Sequence, residues 1–120
     1  MIALRIVPAP ISANGLYRIA ARPFPRIYMT QDGKDLKEAY QWQLKTQWRQ
    51  RPIKKGVELI LYIYYPDKKR RDADNAMKIV FDALKQIVFE DDSQVMHYSV
   101  YKRVDKQNPR VDIDVQELAE

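Results

Sequence analysis

The chain has 120 residues, 46% of them hydrophobic, and its 21 Lys and Arg against 16 Asp and Glu give a formal charge of +5. That length suits one domain with a packed core, and the basic balance favours a polyanionic partner such as DNA or RNA. With no cysteine and a single histidine, disulfides, thiolate catalysis and Cys- or His-rich metal sites are excluded. Apolar runs too short to span a bilayer, and an N-terminus without the apolar core of a secretory signal, predict a cytoplasmic protein with no membrane contact.

Residues 2–7 read as a short apolar strand that Pro8 and Pro10 stop. Residues 11–31 read as an irregular loop, punctuated by Asn14-Gly15, Pro23 and Pro25 and carrying Tyr17, Arg18, Arg22 and Arg26. Thr30 or Asp32 caps a predicted helix running to about Gln50, with Leu36, Ala39, Tyr40, Gln43 and Leu44 at helical spacing. Trp42 and Trp48 are expected to pack at its margins. Residues 56–65 form the clearest strand, apolar on both faces, which suggests a central position or a strand lying against another subunit. A second helix is predicted from Asp72 or Asp74 to about Gln86, its stripe formed by Ala76, Ile79, Val80, Ala83, Leu84 and Ile87. A turn at Glu90-Asp91-Asp92 leads to a strand over residues 94–104, with His97 as a structural or surface residue. Val111, Ile113 and Val115 form a last strand with Asp112 and Asp114 outward. The order predicts a single α+β domain, a mixed sheet packed by two main helices.

The chemistry concentrates in Asp67-Lys68-Lys69-Arg70-Arg71-Asp72-Ala73-Asp74-Asn75, where a basic run meets two carboxylates between a strand and a helix. Residues two apart in extended chain point the same way, so Asp72 and Asp74 could converge on one cation. Lys78 lies one helical turn beyond Asp74, and the Asp91-Asp92 turn could supply a third acid. Without Cys or His partners the ligands would be oxygens, which points to Mg²⁺ or Mn²⁺. Phosphodiester hydrolysis wants such a group: a hard cation neutralises the charge of the transition state and activates water, and a nearby cation adds stabilisation. A purely structural account stands beside it, in which Asp72 and Asp74 cap a helix and Asp91-Asp92 is only a turn.

Taken together, Pro66 to Asn75, Lys78, Phe81-Asp82-Ala83-Leu84 and Asp91-Asp92-Ser93-Gln94-Val95 resemble the RusA-type Holliday junction resolvases. Pro10-x-Ser12-x-Asn14 with Tyr17-Arg18 resembles that family's opening loop, and the likeness is weakest over residues 19–50. The resemblance implies a RusA-like fold and a homodimeric, Mg²⁺-dependent endonuclease, often encoded by phages or prophages, that nicks four-way DNA junctions symmetrically. It assigns the catalytic and metal-binding acids to Asp72, Asp74 and Asp92, the important lysine to Lys78, and an arginine to Arg71. The connection over residues 86–90 is slightly shorter than the family pattern, which keeps Asp91 in play beside Asp92. Arg70 and Lys69 are expected to join Arg71 on the DNA backbone, with Asn14, Tyr17 and Arg18 near the junction. A non-catalytic nucleic-acid-binding module and a nuclease on other branched DNA are the rival readings.

Overall fold

The computed structural model describes residues 2–10, 15–71 and 73–119. Strand β1 (Ile2–Ile6) is followed by β2 (Tyr17–Ala20), β3 (Arg26–Met29) and helix α1 (Gln31–Gln47). Then come β4 (Val57–Tyr65), helix α2 (Ala73–Leu84), a 3₁₀ turn (Asp92–Gln94), β5 (Val95–Val104) and β6 (Arg110–Glu117). The main sheet has the order β1-β6-β4-β5, with β4 and β5 parallel through α2 and the other pairs antiparallel. The expected α+β class, mixed sheet and pair of main helices are all present.

Alternation along β4 builds the core. Val57, Leu59, Leu61, Ile63 and Tyr65 are buried beside Val111, Ile113 and Val115 of β6, against Tyr40 and Leu44 of α1 and Ile79, Val80 and Leu84 of α2. Strand β4 is central, as its two apolar faces implied, and its other face (Ile60, Tyr62, Tyr64) is only half-buried. Strand β1 is an edge whose outer backbone is sealed by side chains. The Gln47 amide accepts from the Arg5 N–H (2.8 Å) and donates to the Arg5 carbonyl (2.6 Å). Gln43 does the same for Val7 at 2.8 and 2.7 Å. The two amides stand one helical turn apart and so mimic a neighbouring strand.

Four expectations need correction. Residues 17–29, read as irregular, form the antiparallel β2–β3 pair, with the breakers Pro23 and Pro25 lying between the strands. Helix α1 stops at Gln47 because Trp48 turns extended (φ −108°, ψ 96°) to bury its indole. Helix α2 stops at Leu84 because Gln86 adopts a left-handed φ of 69° while Val88 N–H still bonds the Leu84 carbonyl. Trp42 is 65% exposed, beside Lys45, rather than packed.

Candidate active site

The first helix fixes how the β2–β3 pair is seated. Thr30 caps α1 by accepting from Gly33 N–H (3.1 Å), and its hydroxyl donates back to the Gly15 carbonyl (2.5 Å). Its backbone N–H bonds the Leu16 carbonyl at 2.9 Å. Gly33 is buried directly beneath, where a Cβ would collide with the Leu16 carbonyl and the Met29 side chain. The ribbon thereby arrives over α2.

Along α2, Asp74, Lys78 and Asp82 recur at four-residue spacing and share one face. Tyr17 comes down on this face: its hydroxyl donates to Asp82 Oδ2 at 2.5 Å, and Lys78 Nζ lies 4.7 Å from the centre of its ring. Burial, then the hydrogen bond and charge of Asp82, then the charge of Asp92, push the Tyr17 phenol far above its ordinary value. It stays a donor at any working pH.

The turn after α2 separates the two neighbouring acids. Asp91 caps the 3₁₀ turn by accepting from Ser93 N–H (3.0 Å) and pairs with Lys85 (3.5 Å). Gln94 completes that capping box and ties the turn to Ile53 and Lys55. The pKa of Asp91 is accordingly lowered, first by its bonds to Ser93. Asp92 is different. Its pKa is raised, first by burial and then by the charges of Asp82 and Asp91, with Lys85 opposing. An acid crowded by like charges is one a cation would relieve.

Asp72 and Asn14 lie outside the described residues. Asp74 sits in the first turn of α2, and Asp82 is about 12 Å of helical rise further on, with Asp92 beside it. Among the described acids, Asp74 therefore stands at one end of α2 and Asp82 with Asp92 at the other, and no three described acidic or histidine side chains stand close enough to hold one ion. Lys78 is exposed between the two ends. In the basic run, Lys69 and Arg70 are exposed, whereas Arg71 bonds Asp67 (2.6 Å) and covers the Tyr65 ring at 4.8 Å. Arg18 is exposed on β2. Asp82 was given no role from the sequence. The spacing that joins Lys78 to Asp74 reaches it one turn later, and that was the available signal.

A mixed α+β sheet that sets carboxylates and a lysine along one helix, behind a basic loop, has the parts of a phosphodiester-cleaving enzyme. The endodeoxyribonuclease RusA family matches residues 7–116, and the chain belongs to that family. It is 28% identical to the crossover junction endodeoxyribonuclease RusA of Escherichia coli strain K12, over 93% of this chain and 92% of the other. The proteins of that name from enterobacteria phage 82 and Shigella sonnei strain Ss046 show the same identity and coverage. The resemblance drawn from the sequence motifs is thus borne out at the level of the family and of its endonuclease class.

Proposed function

We propose that this chain is a Mg²⁺-dependent endodeoxyribonuclease that resolves four-way DNA junctions by paired nicks, working in the cytoplasm as a homodimer. The observation that carries the reading is geometric: Asp74, Lys78 and Asp82 share one face of α2, Tyr17 bonds Asp82 at 2.5 Å with Lys78 Nζ 4.7 Å from its ring, and Asp92 lies near Asp82. Asp72, Asp74 and Asp92 would hold the cation, an all-carboxylate set suited to Mg²⁺ or Mn²⁺. The bound ion would neutralise charge on the phosphate and activate water. Asp91 caps the turn and pairs with Lys85, which supports Asp92 as the third acid. Lys78 is held on the Tyr17 ring, where its ammonium can steady the scissile phosphate. Lys69 and Arg70 face solvent and can grip the DNA backbone, with Arg71 bracing their loop through Asp67 and Arg18 reaching the strand beyond Tyr17.

Acids at opposite ends of one helix favour a site completed by a second copy, with Asp74 of one protomer and Asp92 of the other. A dimer also supplies the two active sites that paired nicks require. The half-buried face of β4 is the candidate contact: Ile60, Tyr62 and Tyr64 stay partly open there, Tyr62 stacks on Tyr101 at 5.2 Å, and Arg110 covers Tyr64 at 3.8 Å. A depression of about 510 Å³ opens there between Arg5, Tyr62, Tyr64, Asp112 and Asp114.

The test is cleavage of a synthetic four-way junction with and without Mg²⁺, beside forked and linear DNA. Asp74→Asn should lower cleavage by more than the roughly 10–100-fold typical of lost outer-shell partners of a metal, while junction binding survives because the basic residues remain. Cleavage left intact by this substitution would refute the assignment. Mixed dimers of Asp74→Asn and Asp92→Asn should regain activity if the site is shared between copies, and stay inactive if each chain holds its own.

A further inference from the structure

The β2–β3 ribbon carries more apolar surface than its seat requires. Its register puts Tyr17, Ile19, Ile27 and Met29 on one side. Tyr17 and Met29 pack against the core, but Ile19 is 79% and Ile27 60% exposed. One apolar side therefore begins at the core and runs out past its edge into solvent. At the far end Phe24 is 60% exposed, and the Arg26 guanidinium lies 5.8 Å from its ring centre and 5.9 Å from that of Tyr28.

Charge decides what this surface suits. Residues 16–30 contain three arginines and no acid. The register sets Arg18, Arg26 and Tyr28 on the opposite side of the ribbon, so an apolar side is backed by guanidinium groups. Such a ribbon can stack on or wedge between nucleobases on one side while its arginines hold flanking phosphates from the other. Position points the same way, because the ribbon is rooted at Tyr17, which touches both Asp82 and Lys78. We infer that the β2–β3 ribbon is a base-stacking arm: Ile19, Ile27 and Phe24 receive unpaired bases at the branch point, and Arg22 and Arg26 hold the adjoining phosphates. This rests on the proposed action on branched DNA. Uniform duplex offers no unpaired base, so the arm acts only where strands exchange, and it would favour branched over linear substrate without reading sequence.

The test uses the intact protein with Ca²⁺ in place of Mg²⁺, and a four-way junction carrying 2-aminopurine beside the branch point. Binding should raise the fluorescence several-fold as the base unstacks. The Ile19→Ser/Ile27→Ser variant, and separately Phe24→Ala, should abolish that rise. Each should weaken junction binding about tenfold, the loss of roughly one stacked base, and leave linear duplex binding unchanged. A wild-type complex with no rise, or variants with an undiminished rise, would overturn the arm while leaving junction resolution standing. Conversion of a dimer to a monomer by the double variant, seen by sedimentation, would make the ribbon a subunit contact and overturn it too. Failure of the wild-type protein to bind any junction would sink the proposed function, and the arm with it.

Discussion

Tyr17→Phe removes one oxygen and tests whether the β2–β3 ribbon is tied to α2 by the bond to Asp82. The ring is kept, so the contact with Lys78 Nζ persists, since phenylalanine also presents a face to a cation. What is lost is a 2.5 Å hydrogen bond to a carboxylate. Bonds to charged groups contribute about 1.5–3 kcal/mol, and the half-buried setting argues for the lower end, about 1.5 kcal/mol. Every 1.4 kcal/mol is about tenfold in an equilibrium, so local opening of the ribbon should become about tenfold more frequent. Amide hydrogen exchange read across residues 17–29 measures this directly. Protection there should fall tenfold while that of β4 falls no more than the global stability does. A cycle of Tyr17→Phe, Asp82→Asn and the double variant should give a coupling of at least about 1 kcal/mol. A coupling inside the ~0.5 kcal/mol scatter of independent sites would refute the tie.

Three further outcomes follow from the same packing. Gly33→Ala should destabilise by about 1–2 kcal/mol in urea unfolding, because overpacking against the Leu16 carbonyl outweighs the gain of about 1 kcal/mol from replacing a helical glycine; a more stable variant would show that the seat is loose. Asp105 bonds Arg110 at 2.8 Å and the N–H groups of Gln107 and Asn108, and Arg110 first among them holds its pKa below 3.8. A carboxyl depressed in the folded state contributes stability that is fully present above 3.8 and lost as pH falls through the folded value. The stability gap between wild type and Asp105→Asn should therefore close on acidification below that pH, and a gap that widens there would contradict the pairing. Tyr62→Lys places a cation beside Asp112, which one copy tolerates, but sets like charges facing each other in a two-fold contact; light scattering should report a monomer, and an unchanged dimer would move the interface elsewhere.

The parts legible in the sequence were those set by periodicity. The alternation along β4, and the stripe of α2 as far as Leu84, each follow one burial rule, and both elements form within the stretches that the pattern marked. Residues 17–29 obey no such rule. Their two short strands pair only with each other, most of their side chains remain in water, and the prolines that mark the turn read as breaks. Element ends failed for a related reason: Trp48 and Gln86 take conformations chosen by tertiary burial and by a turn, which local propensity does not encode. For the site, spacing along α2 could align Lys78 with Asp74. It could not reveal that Asp92 returns to the Asp82 end of the helix, because that follows from β5 running parallel to β4.

The formal charge of +5 is a weak signal when taken as a sum, yet the structure distributes it unevenly. A hollow of about 200 Å³ at the end of β4 and β5 is lined by Lys68, Lys69, Arg71, Lys102 and Arg103 against the single acid Asp67, a local excess of four. Arg70 adds an exposed cation to the same loop. The remaining charges sum to about zero, with the three exposed arginines of the β2–β3 ribbon as a second acid-free stretch, and a phosphate backbone attracted by the protein meets cations at this corner and on that ribbon. Strand β4 ends here and α2 begins, so the corner adjoins the first turn that carries Asp74. On the proposed function, binding and cutting make opposite demands within a few residues: cations attract the phosphate, while the carboxylates that follow would repel it unless a divalent ion bridged the two. The basic run would then supply affinity in the absence of metal, and the acids after it would make cleavage wait for the ion.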